Sequence, residues 1–178
     1  MTKPQYSPIQ IPLPLENETF EIPLTRGQVA IVDAVDADLV SSKWRAQKHR
    51  NGFYAARWNG GGSPSYQTLH RVILSRMMGR PLETSELADH IDCDTLNNRR
   101  SNLRLATKAD NNRNTKNRRS NTSGRKGVCW CKANSKWQAY ISVMDRQIHL
   151  GFYDDIEAAH AAYCEAAKKY HGEFARFE

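Results

Sequence analysis

The sequence predicts an α+β protein built from small pieces rather than from one large core. Three observations predict it. Short stretches rich in aromatic and β-branched residues alternate with turn residues around 44–58 and 127–152. A helix with a small-residue face follows the last of them, from Ile156 to about His171. Between the two lies a polar segment, Glu86–Asn114, in which Leu87, Ile91, Leu96, Leu103 and Leu105 recur as apolar anchors. A hydrophobic fraction of 39 % in 178 residues suits a modest, divided core.

Taken in order, residues 1–18 are rich in Pro and polar side chains and read as an extended arm. Short alternating apolar residues over Phe20–Ala30 surround a Thr25-Arg26-Gly27 turn, and Val29–Asp33 reads as a strand. Asp36-Ala37-Asp38 opens a short helix or turn. Trp44–Gln47 and Phe53–Trp58 read as a β-hairpin with Asn51-Gly52 at its tip. A loop, Asn59 to Pro64, then leads to a predicted helix over Tyr66–Met78, with Leu69, Val72, Ile73 and Met77 on its apolar face. Residues 115–123 hold no apolar side chain and read as a linker. Gly127–Cys131, Trp137–Val143 and Gln147–Phe152 are three strand candidates, with Asn134-Ser135 and Asp145 supplying turns. Asp154-Asp155 caps the last helix, whose Ala158, Ala159, Ala162, Ala166 and Ala167 permit close packing on a sheet. The resulting division is 1–65, 66–115, 116–123 and 124–178.

Lys and Arg number 26 against 19 Asp and Glu, giving a formal charge of +7 and a pI near 9.4. Placement says more than the total. From Leu96 to Lys136 there are twelve basic residues and one acid, Asp110. Such a run neutralises phosphates and releases counterions. No stretch has the ~20 apolar residues of a membrane helix, and none suits a signal peptide. The expectation is therefore a soluble, intracellular, cytoplasmic protein. Cys93, Cys129, Cys131 and Cys164 form no CxxC pair, so a structural zinc knuckle is not expected, and all four read as free thiols.

The chemically dense cluster is Asp89-His90, followed by Asn97, Asn98, Asn102 and Asn111. The stretch ADHIDCDTLNNRRSNLRLATKADNNRN, with Leu69-His70-Arg71 before it, resembles the HNH nuclease motif of small phage and intron-encoded homing endonucleases over about residues 66–115. That resemblance implies a ββα-metal unit acting on double-stranded DNA. Asp89 would ligate a divalent metal, Asn111 on the closing helix would offer a second oxygen, and His90 would act as general base. Oxygen ligands suit Mg²⁺ or Mn²⁺ better than Zn²⁺. Asn102 matches the middle letter of the motif, and with Asn97 and Asn98 also reads as a brace of a tight loop. His70 has two readings, a satisfied core histidine or a group reaching phosphate. The candidate catalytic set is thus His90, Asp89, Asn111, His70 and Asn102. Asp89 and His90 alternate along a strand, so a distortion near the turn would be needed to aim both at one cleft. One such site cuts one strand per event, which predicts nicking by a monomer.

Residues 124–178 resemble the AP2 DNA-binding domain through Gly124, Lys126-Gly127-Val128, Trp130, Lys136-Trp137, Ala139, Ile141, Leu150-Gly151, Phe152, Ala158-Ala159, Tyr163, Ala166-Ala167 and His171-Gly172. The resemblance implies a three-stranded antiparallel sheet backed by one helix, its free face lying in the major groove. Cys129 and Ser142 stand where plant AP2 domains use Arg, so the plant target sequence does not carry over. The candidate DNA contacts are Arg99, Arg100, Arg104, Arg113, Lys116, Arg118, Arg119, Arg125, Lys126, Trp130, Lys132, Lys136, Gln138, Tyr140, Gln147 and His149. Arg45, Lys48, Arg50 and Arg57 add candidate phosphate contacts in the N-terminal region, where Trp44, Phe53, Tyr54 and Trp58 read as a small β core. No small-molecule cofactor is expected. The rival reading is a non-catalytic, sequence-specific DNA-binding protein.

Overall fold

The computed structural model describes residues 18–50, 52–61, 66–117, 121–144 and 146–177. The arm up to residue 17, Asn51 of the hairpin tip, residues 62–65 of the loop, Arg118, Arg119 and Asp145 lie outside the described residues. The chain is a mixed α+β structure with several small antiparallel sheets and few helices. Its described residues divide into two compact units, 18–73 with 95–100, and 74–94 with 101–177. Among the described residues, no helix is long and apolar enough to cross a membrane.

In the first unit, β1 (Thr19–Pro23) pairs antiparallel with β2 (Val29–Asp33). Ile22, Ala30 and Val32 are fully buried, as strand alternation dictates for a pair with one wet face. A 3₁₀ segment, Ala34–Ser41, follows and buries Leu39. Next, β3 (Arg45–His49) and β4 (Gly52–Trp58) form the expected hairpin. The helix predicted from Tyr66 begins three residues later. Tyr66–Thr68 forms β5, paired with Trp58–Ala56, and α1 runs Leu69–Met78. Pairing with β4 overrides the local helical spacing there. Trp44 is buried and its indole N–H donates to the Leu39 carbonyl at 2.9 Å, but Trp58 is exposed, so only part of the expected aromatic core exists.

Residues 95–100 belong to this unit through backbone and side-chain bonds. Ile31 donates to the Leu96 carbonyl at 2.9 Å, and Asn98 donates back to Ile31 at 2.8 Å. Asn98 is buried, its amide donating to the Leu96 carbonyl, which is the bracing role expected of it. Arg99 pairs with Asp33 at 3.0 Å, and Arg100 pairs with the fully buried Asp36 at 2.8 Å. Each guanidinium thus pairs with an internal carboxylate while about a third of its side chain stays exposed.

The second unit contains β6 (Leu87–His90) and β7 (Leu103–Ala106), an antiparallel pair, and α2 (Lys108–Arg113). It also contains β8 (Val128–Cys131), β9 (Lys136–Val143) and β10 (Arg146–Tyr153), an antiparallel sheet in that order, with α3 (Ile156–His171) packed against it. Asp155 caps α3, its carboxylate accepting from Ala158 N–H. Ala159, Tyr163, Ala166 and Ala167 meet Val128, Ala139 and Ile141 in the core. Gly127 sits at φ +71° against the Tyr163 ring. A Cβ there would lie 2.0 Å from a ring carbon, so the position admits only glycine.

His171, at the end of α3, bonds to the Ser142 carbonyl through Nε2 at 3.0 Å. Burial pulls its pKa below the usual histidine value, against the effect of that bond, and nearby Arg113 and Lys126 add to the lowering. The unfolded chain therefore takes up this proton first as pH falls. Stability from a neutral His171 is present above the unfolded value of about 6.5 and declines as pH drops through it. Melting temperature should fall between about pH 7.5 and pH 5.5, and His171→Gln should flatten that slope. An unchanged slope in the variant would remove His171 from the account.

Candidate functional site

Asp89 and His90 end β6, and Arg104 stands directly opposite Asp89 on β7. This cross-strand position lets the two side chains meet on one face of the pair. Arg104 donates to Asp89 Oδ2 from both Nε and Nη2 at 2.9 Å. Asn114, just past the end of α2, donates to Oδ2 at 3.0 Å, to Oδ1 at 3.2 Å and to the His90 carbonyl at 2.8 Å. Asp89, His90 and Asn114 are all buried. The carboxylate is thus oriented through Oδ2, while among the described residues Oδ1 accepts a single longer bond.

Arg104 itself is only 11 % exposed. Its guanidinium lies 3.8 Å over the Phe174 ring and also donates to the Glu173 carbonyl. It holds an acid in place and is not an open phosphate contact, which corrects the expectation for it. Neither Arg104 nor Asn114 stood out in the sequence as part of the site. The available signal was spacing, since Asn114 lies three residues beyond Asn111 and so near it on a helical turn.

The β6–β7 register runs without a bulge from Leu87 to His90. By strand alternation Asp89 and His90 point to opposite faces, and the paired residues contain no bulge that would aim both at one cleft. Beyond His90 the chain turns at once. Cys93 takes φ +62°, its N–H donates to the His90 carbonyl at 3.0 Å, and its thiol donates to the Asn114 carbonyl at 3.0 Å. Burial pushes the Cys93 thiol pKa up, as befits an inert structural group. Asn102 is buried and braces the same turn, accepting from Asp92 N–H at 3.0 Å and donating to the Asp92 carboxylate at 2.9 Å. This is the loop role. His70 belongs to the first unit, at the start of α1, near Thr68 Oγ1 at 3.4 Å and against the Tyr54 ring at 5.2 Å.

Asn111 lies on α2, half-buried. That helix is short, and a capping box fixes its start. Thr107 Oγ1 accepts from Asp110 N–H at 3.2 Å, and Asp110 accepts from Thr107 N–H at 3.2 Å and from its hydroxyl at 2.6 Å. The Thr107 hydroxyl holds the Asp110 carboxyl below its ordinary range, helped by Arg113. Thr107→Ala should cost about 0.5–2 kcal/mol, read from the urea midpoint. A loss near zero would mean that α2 is held by packing alone.

A divalent metal can be tested against these groups. Asp89 Oδ1 and the Asn111 side-chain oxygen are hard donors of the kind Mg²⁺ and Mn²⁺ take. The bonds to Oδ2 orient the carboxylate as outer partners of a ligand do. The donor chemistry fits. Among the described residues, no group of three or more His, Cys, Asp or Glu is placed to hold an ion, so phosphate and water oxygens would have to complete the coordination.

The remaining basic candidates divide by environment. Lys126 directs Nζ at the carbonyls of Arg113 and Thr115, at 2.8 and 2.7 Å, and burial lowers its pKa to about 8. It ties the chain following α2 to the C-terminal sheet, correcting its reading as a phosphate contact. Arg113 pairs with Asp110, and Arg125 pairs with Glu157. Lys116 and Lys132 are exposed. Pairing across β8–β9–β10 puts Gln138, Tyr140, Ser142, Gln147 and His149 on the face away from α3. Lys136 shares that parity and pairs with Asp154. Trp130 pairs opposite Trp137, rings 5.1 Å apart, on the α3 side. This corrects the phase chosen for β8. Cys129 and Cys131, not Trp130, share the face away from α3.

Comparison with known proteins adds two findings. A family model described as HNH endonuclease matches residues 67–113. The chain is also 36 % identical over 97 residues to Protein 3.8 of Escherichia phage T7, covering 54 % of this chain and 79 % of that protein. No solved structure matches.

Proposed function

Because the chain belongs to the family of phage T7 Protein 3.8 and carries an HNH endonuclease domain at residues 67–113, we propose that it is a metal-dependent DNA endonuclease of homing type that nicks one strand per event. The observation that carries this is the Asp89 carboxylate, held by Arg104 and Asn114 with Oδ1 left for a further partner. Mg²⁺ or Mn²⁺ held by Asp89 and Asn111 would supply charge stabilisation at the phosphate and leaving oxygen. Arg104 fixes the carboxylate and offsets its charge. Asn114 locks the end of α2 to the end of β6 by bonding both Asp89 and the His90 carbonyl. His90 takes the proton of the attacking water. It faces away from Asp89 in the free protein, so this role requires the strand end to open on DNA, and catalytic geometry often forms only in the complex.

The free face of β8–β10 is assigned to major-groove contact in an AP2-like manner, with Gln138, Tyr140, Gln147 and His149 toward the bases and Lys132 and Lys136 toward phosphates. Lys116 and Arg125 join the phosphate contacts. So do Arg118 and Arg119, as a reading of the sequence alone. The protein would act as a monomer on double-stranded DNA. The rival, a non-catalytic DNA-binding protein, draws on two observations: Asp89 is already paired, and strand alternation turns His90 away from it. A plasmid time course tests the proposal. Open circles should precede linear DNA, whereas linear product at the earliest times would overturn the nicking monomer.

A further inference from the structure

The first unit carries an aromatic and cationic cluster that the cleavage site does not use. Trp58 and Tyr66 are cross-strand partners on β4 and β5, with rings 5.3 Å apart at 75°. Trp58 is 59 % exposed and Tyr66 36 %. The exposed Arg45 lays its guanidinium 4.1 Å over the Tyr66 ring. Single exposed apolar residues are common, but a paired Trp and Tyr stacked with a cation form a built surface.

A groove of about 620 Å³ adjoins it, lined in part by Lys43, Trp44, Arg45, Arg57 and Trp58. Arg57 is fixed there over the buried Trp44 ring at 4.8 Å. Its Nε and Nη2 donate to Gln67 Oε1 at 3.1 and 3.0 Å, and its Nη1 donates to Ser42 Oγ at 2.9 Å. Both partners are neutral. A guanidinium has five N–H donors, three of which are used here, and among the described residues no carboxylate pairs with it. The arrangement is therefore an anchored cation beside the partly exposed Trp58 and Tyr66 rings.

Paired bases in a duplex are stacked on each other and offer rings only their edges and backbone. An unpaired base offers a π-face to the aromatic and a phosphate to the cation. We infer that this face of the first unit binds unpaired bases of DNA, stacking them on Trp58 and Tyr66 with a flanking phosphate on Arg57. The inference rests on the reading of the chain as a DNA-acting protein. It is tested without metal, so it and cleavage fail separately.

The test is fluorescence anisotropy of the full chain in EDTA. The probes are a labelled oligothymidylate of about 12 nucleotides and a hairpin duplex of similar length. Trp58→Ala should weaken single-strand binding roughly five- to hundredfold and leave duplex binding unchanged, while Trp58→Phe keeps most of the affinity. Arg57→Gln should lower the salt slope on the single strand by about 0.7. Tyr66→Ala decides the matter if Trp58→Ala melts below wild type. No single-strand binding by wild type, wild-type affinity in the Ala variants, or an equal loss on duplex would overturn the inference. Tighter binding of oligouridylate than of oligothymidylate would overturn its assignment to DNA.

Discussion

Replacing Arg104 by alanine is expected to cost about 3–5 kcal/mol of folding free energy, because it strands the Asp89 carboxylate in a buried site. Asn114 would be its remaining partner, and one amide cannot replace two charge-assisted bonds from a guanidinium. Stacking on Phe174 would be lost as well. With total stabilities of about 5–15 kcal/mol, the variant would sit near the edge of folding. Urea denaturation measures this. The double variant Asp89→Asn with Arg104→Met should recover much of the loss, since the uncompensated charge disappears along with its partner. A cost below about 1 kcal/mol for Arg104→Ala would place the pair among weak surface bridges and undo the clamp.

The second large effect is on rate. His90→Ala should slow strand cleavage by about 10²–10⁴-fold, the usual contribution of a general base. Binding of duplex DNA should persist, because His90 is buried and the basic and polar groups offered to DNA lie elsewhere. Single-turnover nicking and a gel shift on the same preparations separate the two readouts. Cleavage at the wild-type rate would show that the base is another group, and the opposite-facing geometry of Asp89 and His90 would then be the resting arrangement throughout.

Much of the architecture was legible because local signals agreed. Alternation marked β9, Asp155 marked the start of α3, and the Asp89-His90 pair marked the chemical segment. Elsewhere the deciding contact was distant in sequence. Tyr66–Thr68 carries a helix-like pattern, yet pairing with β4 draws it into the sheet. Arg99, Arg100 and Arg104 look like one basic run. Only the structure shows that they pair with Asp33, Asp36 and Asp89, and that Arg104 alone of the three is nearly buried. Trp44 and Trp58 are equally aromatic in the sequence, but one is buried and the other lies open. Charge counts overstate a DNA surface wherever the compensating acid lies on another strand.

The most direct measurement is loss of supercoiled plasmid by the wild-type chain in Mg²⁺, in Mn²⁺ and in EDTA. The account predicts open-circular product with one or both metals and none in EDTA. A protein that shifts the plasmid in a gel but leaves a broad panel of DNA substrates intact with every divalent metal would contradict it, and the chain would then be a DNA-binding protein built on a silent nuclease fold.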